Sequence, residues 1–167
     1  ALRPQRDPNL DEWAAWRTLH ARLGDALARV AAPCLALEPG ADGMQLHCVR
    51  LRNADGTPAR SLNAILAAPA GVDAATLVAA LDRFEAALLA LDIPLTDLNG
   101  GNLMLVQGPP GEAPMLQCVD LKSVVAPKGA VPFANTVPAL RRRKLVRRAA
   151  RLRHRILATL APPPPRL

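Results

Sequence analysis

Trp13, Trp16, Leu19, Leu23 and Leu27 step by three or four positions, and this spacing predicts an amphipathic helix from Leu10 to about Val30. Asp7-Pro8-Asn9 supplies its turn-and-cap signal and Pro33 stops it. Beyond Pro33 the period shortens. Cys34-Leu35-Ala36-Leu37 reads as a short strand, Pro39-Gly40-Ala41-Asp42-Gly43 as a hairpin turn, and residues 44–51 as the partner strand. Asn53-Ala54-Asp55-Gly56 is a second turn, and residues 61–68 form a short helix or an extended segment. The strongest helical pattern runs from Val72 to Leu91, with Asp73 as N-cap and Leu77, Leu81, Phe84, Leu88 and Leu91 on one face. Two apolar runs, residues 103–106 and 115–119, flank Gly108-Pro109-Pro110-Gly111 and predict a β-hairpin. Residues 121–137 have the Pro and Gly content of a loop. From Pro138 to Leu160 the stripe Leu145, Ala149, Leu152, Ile156 and Leu160 predicts a helix that docks on the domain, ended by Pro162–Pro165. No internal repeat is visible.

Composition adds a constraint on the core. The chain has 167 residues, half of them hydrophobic, but only two Trp, two Phe and no Tyr. That is room for one domain whose core is built from Leu, Val and Ala. The formal charge of +7 conceals a split: residues 1–120 carry 9 basic and all 14 acidic residues, whereas residues 121–167 carry 12 basic residues and no acid. A mildly acidic body is therefore followed by a cationic block. No run of about 18 apolar residues predicts a transmembrane helix, and the opening ALRPQRDPNLDE lacks the apolar core of a secretion signal. Cys34, Cys48 and Cys118 have no CxxC spacing and read as buried small hydrophobes in a reducing, cytoplasmic setting. His20, His47 and His154 are scattered and suggest no metal cluster.

One segment carries a chemical pattern. Leu95-Thr96-Asp97-Leu98-Asn99-Gly100-Gly101-Asn102 lies between the long helix and the predicted hairpin, whose second strand leads into Asp120. Phosphoryl transfer needs a carboxylate to orient or deprotonate the acceptor hydroxyl, and hard oxygen ligands to hold Mg²⁺ against nucleotide phosphates. Asp97 suits the first task, and Asn102 with Asp120 the second; Gly100 and Gly101 let the backbone turn sharply between them. As plain alternatives, Asp97 and Asn102 are turn formers, Asp120 a surface strand end, and Glu12 a first-turn acid favouring the helix dipole. Lys122 either replaces part of a cation's charge, contacts a phosphate, or is simply solvated.

Asp97-x-x-x-x-Asn102 followed by Asp120 resembles the catalytic loop and metal-binding segment of the protein-kinase-like fold. Glu12-Trp13-Ala14-Ala15-Trp16-Arg17-Thr18-Leu19 looks like the small-lobe helix whose Glu pairs with a strand lysine, and residues 51–58 lie where the inter-lobe hinge would be. Val131-Pro132-Phe133-Ala134-Asn135, followed by Arg143-Lys144-Leu145-Val146-Arg147-Arg148, is similar to the YrbL-like family of the PhoP regulatory network, over roughly Asp11 to Ile156. The resemblance implies an α+β, protein-kinase-like fold, mainly the helical large lobe. Residues 1–51 would be a partial small lobe, 52–60 a hinge-like segment, 61–137 the large lobe, 138–161 a basic helix and 162–167 a Pro-rich tail. It implies ATP and Mg²⁺ as cofactors, Asp97 as base, Asn102 and Asp120 as metal ligands, and Glu12 and Lys122 at the nucleotide, with an unknown acceptor.

The departures are specific. Leu95-Thr96 stand where His-Arg or His-Gly usually precede the Asp, Leu121-Lys122 follow Asp120, and neither a glycine-rich loop nor a lysine precedes Glu12. The chain begins at Ala1, so truncation of the small lobe is one expectation. A catalytically degenerate regulatory protein is the alternative reading. A third is a polyanion-binding domain that uses Arg141, Arg142, Arg143, Lys144, Arg147 and Arg148, without aromatics interleaved for base stacking.

Overall fold

A computed structural model describes residues 7–69, 71–95, 97–125 and 137–160. Thr96, the Val131–Asn135 segment and Pro162–Pro165 lie outside them, as does most of the predicted loop at 121–137.

The first helix, α1, spans Pro8–Leu23. Asp7 caps it by accepting from the Asn9 N–H, and Pro8 occupies the first turn, where its missing N–H costs nothing. The predicted helix to Val30 is interrupted at Gly24, which takes φ 54°, and Gly24–Arg29 continue as a 3₁₀ segment. Spacing of three and four persists across the break because Leu27 still turns inward. The buried face of α1 is Glu12, Ala15 and Leu19. Trp13 and Trp16 flank it half-buried, their rings stacked at 5.5 Å.

Strands β1 (Cys34–Gly40) and β2 (Gly43–Cys48) form an antiparallel hairpin closed over Ala41 and Asp42. Its tip is tied to α1: the Met44 N–H donates to Asp7 at 3.0 Å and the Asn9 amide to the Met44 carbonyl at 2.6 Å. Asp7 thus caps a helix and anchors a hairpin at once. A second, three-stranded antiparallel sheet has the order β3 (Arg60–Ser61), β4 (Leu103–Val106), β5 (Met115–Cys118). The β4–β5 hairpin matches its expected position. The ambiguous stretch at 61–68 resolves into the end of β3 followed by α2 (Leu62–Ala67), with Ser61 as N-cap.

Helix α3 spans Ala74–Ala90, with Asp73 as its N-cap and Leu77, Ala80, Leu81, Phe84 and Leu88 buried. Asp73 accepts from the Thr76 N–H at 2.7 Å. We expect Asp73→Ala to lower the urea midpoint of unfolding, as loss of an N-cap does, checked by urea denaturation. Helix α4 spans Pro138–Leu160, and its stripe Leu145, Ala149, Leu152 and Ile156 is buried, the helix packing against α3 and α2. One core cluster takes in side chains of α1, α2, α3, α4, β4 and β5. The architecture is α+β, and among the described residues no helix is long and apolar enough to cross a membrane.

Candidate functional site around Glu12, Asn102 and Asp120

The register of β4 and β5 builds the site. Leu103 pairs with Cys118, and just past the strand ends the Val119 N–H donates to the Asn102 carbonyl at 2.9 Å. This places Asn102 beside Asp120, and the Asn102 amide donates to Asp120 Oδ2 at 3.2 Å. On its other side, β5 is fastened to the segment after α1: the Cys118 N–H donates to the Val30 carbonyl and the Ala32 N–H to that of Cys118.

The same fastening brings α1 over the end of β5. Glu12, 9% exposed, accepts the Leu121 N–H at 2.7 Å and the Lys122 N–H at 2.8 Å. Leu121 and Lys122 immediately follow Asp120, and Lys122–Val124 make a 3₁₀ turn. Glu12 therefore satisfies the free amides that open this turn, where negative charge is favoured. Burial nevertheless pushes its carboxyl up to about 7; the Asp120 charge adds to the rise and the two amide bonds oppose it.

Lys122 is partly exposed but not unpaired. Its ammonium is paired with Asp120 Oδ2, and that carboxylate holds the ammonium above its ordinary range. The Lys122 N–H also donates to Asp120 Oδ1 at 3.2 Å. Asp120 thus carries the Asn102 amide, a backbone amide and an ammonium together.

Asp97 lies on the loop before Asn102. Arg148 of α4 approaches its Oδ1 at 3.5 Å. Asp97 remains in electrostatic reach of Lys122, whose ammonium it helps to stabilise. Arg148 is half-buried, so a side chain expected on the solvated basic face turns to the loop that carries Asp97. Of the other cationic residues named for a partner surface, Arg142, Arg143 and Arg147 are exposed, while Arg141 and Lys144 are partly covered.

Gly100 and Gly101 do not work as sharp-turn glycines, since neither has a positive φ. Gly100 lies close against Asn63: a Cβ there would meet Asn63 Oδ1 at 2.6 Å and force that side chain to shift, and the Gly100 carbonyl accepts the Asn63 N–H at 3.1 Å. Asn63, at the start of α2, is a neighbour that the loop's sequence gives no hint of. The Asn99 side chain accepts the Gly101 N–H at 3.0 Å, an Asx turn that shapes the loop from within. The hinge-like segment is joined to the end of β4, the Ala54 N–H donating to the Gln107 carbonyl at 2.8 Å and the Gln107 N–H to Asn53 Oδ1 at 3.0 Å.

The expectation for the cysteines holds for two of them. Cys34 and Cys118 are buried, but Cys48 is exposed, because it ends a strand whose outer positions face solvent.

For a divalent cation, Asn102 and Asp120 offer hard oxygen donors of the right type. No group of three His, Cys, Asp or Glu gathers around them among the described residues. Two protein ligands suit Mg²⁺, which takes its remaining oxygens from phosphates and water. Comparison of the chain with protein-family models, with curated proteins and with solved structures gives no match.

Proposed function

We propose that this chain is a YrbL-like, protein-kinase-like domain that transfers a phosphoryl group from ATP to an acceptor hydroxyl. The observation that carries this reading is the meeting of Glu12, Asn102 and Asp120 at the end of β5, from helix, loop and strand end. Glu12 and Leu121 are 109 positions apart in the chain, so local turn preference does not explain their contact.

Asn102 and Asp120 would hold Mg²⁺, which supplies neutralising charge to the phosphates when bound. Asp97 takes the proton of the acceptor hydroxyl, and Arg148, 3.5 Å from its Oδ1, orients that carboxylate. Glu12 fixes the backbone that follows Asp120, so the metal carboxylate is held by a rigid turn. Lys122, now paired with Asp120, would be placed beside the metal ligands to contact a phosphate.

The second reading, a catalytically degenerate regulatory domain, is favoured by the Lys122–Asp120 ion pair, in which an ammonium already provides the charge that a metal would bring. A thermal-shift titration with Mg·ATP separates the two. At about 100-fold over Kd, the phosphotransferase reading expects a Tm rise of roughly 5–10 °C. Asp120→Ala should abolish the rise, and Asn102→Ala should weaken it if Asp120→Ala does not fold. No rise in the unsubstituted chain favours the degenerate reading.

A further inference from the structure

The Sγ atoms of Cys34 and Cys48 lie 3.1 Å apart, closer than two thiols pack as mere neighbours. They face each other across the open end of the β1–β2 hairpin, as direct cross-strand partners. The flanking pair carries the hydrogen bond from the Val49 N–H to the Pro33 carbonyl at 2.8 Å. Cys34 and Cys48 therefore occupy a non-hydrogen-bonded position of the ladder, where facing Cα atoms stand about 4.5 Å apart. That spacing falls inside the range of about 4.4–6.8 Å that a disulfide spans. Cys48 is an exposed residue and Cys34 a buried one, so the pair has an entry point and a shielded resolving partner.

We infer that Cys34 and Cys48 are a reversible redox site that closes to an intramolecular disulfide by exchange with a low-molecular-weight disulfide. In the first step the exposed Cys48 sulfur attacks the small disulfide. A mixed disulfide forms on Cys48, and one small thiol leaves with the Cys48 proton. In the second step Cys34 Sγ attacks Cys48 Sγ. The protein S–S bond forms, the second small thiol departs, and it takes up the proton that Cys34 loses. Two protein thiols are oxidised and one small disulfide is reduced to two thiols.

Burial and the neighbouring Cys48 hold the Cys34 thiol well above its ordinary range, which slows formation of the attacking thiolate. Contact distance offsets this through proximity, since intramolecular reaction of aligned groups has a very high effective concentration. Cys118 provides an internal control. It is buried in the sheet, its thiol donates to the Asp120 carbonyl at 3.1 Å, and burial pushes it up to about 12. The consequence lies in the hairpin. Its tip holds the start of α1 through Asp7 and Asn9, and the disulfide would cross-link its other end.

The test uses the 167-residue chain, oxidised glutathione, an acid quench and peptide mapping without reductant. Free thiols should fall from three to one, with the Cys34 and Cys48 peptides linked, the chain monomeric and dithiothreitol restoring all three. In 8 M urea (about the concentration for full unfolding of an ordinary domain), the preference for this pair over Cys118 should disappear. Cys34→Ser should leave glutathione on Cys48, with an adduct lifetime at least ~10-fold longer than in the unsubstituted chain. A glutathione adduct that stays on Cys48 of the unsubstituted chain overturns the proposal. So does a disulfide-linked dimer, linkage to Cys118, or a chain that keeps three free thiols.

Discussion

Replacing Glu12 with Ala should destabilise the protein by about 2–3 kcal/mol, because the buried Leu121 amide loses its acceptor and the part-buried Lys122 amide is left with Asp120 Oδ1 alone. Leaving a buried donor unpaired costs about 1–3 kcal/mol, and bonds to a charged group sit at the upper end. The Leu121 N–H is held inside the fold beneath α1, and water does not readily replace the carboxylate there. Glu12→Gln should recover part of the loss, since its amide oxygen still accepts one of the two bonds. The pH dependence has a definite sign. The folded carboxyl is raised to about 7, above its ordinary value near 4.5, so between these values the folded state binds more protons than the unfolded one. Stability from this group is fully present below about 4.5 and is lost as pH rises through 7. Urea unfolding at pH 5 and pH 8 should show the unsubstituted chain losing roughly 2 kcal/mol more than Glu12→Gln over that interval. Asp7, Asp55 and Asp73 have lowered pKa values and act oppositely, but only at more acidic pH, so they do not enter this window. Equal pH slopes in the two proteins would remove the buried, proton-binding Glu12 from the account.

Periodicity located the elements that pack along one face. Helix α3 and its Asp73 cap, the β4–β5 hairpin and α4 from Pro138 to Leu160 all occur where alternation and three-four spacing put them. It overran at Gly24 because a 3₁₀ turn keeps Leu27 in phase with the helix before it, so the pattern conceals the break. Glu12 shows what local patterns omit. An acid near the start of a helix reads as dipole-favouring, and only tertiary folding supplies the amides of Leu121 and Lys122. The same holds for Gly100, which lies close against Asn63, and for Arg148, whose turn toward Asp97 depends on how α4 docks. The motif residues Asp97, Asn102 and Asp120 were legible as types at a spacing. The pairing of Asp120 with Lys122, and the approach of Arg148 to Asp97, were not, because register and helix placement decide them.

Ile156→Ala should lower stability by about 3 kcal/mol, within the usual 2–5 kcal/mol for truncating a buried aliphatic side chain. Ile156 is fully buried on α4, alongside Leu145, Ala149 and Leu152, and this helix packs against α3. Around that seam, Arg153 is bound to Asp82 and Glu85 of α3. The basic helix is therefore part of the core rather than an appended cationic arm. Its sequence charge suggests a detachable tail; its apolar stripe forbids one. Arg147, exposed on the opposite face, supplies the contrast: Arg147→Ala should change stability by less than about 0.5 kcal/mol. Urea unfolding followed by far-UV circular dichroism and by tryptophan fluorescence distinguishes the cases, because Trp13 and Trp16 report from α1 at a distance from the lesion. If α4 is integral, both probes of Ile156→Ala shift together to a lower midpoint. If helicity is lost first while the α1 signal keeps its midpoint, α4 detaches independently, and Arg148 is then not held against Asp97 by the fold.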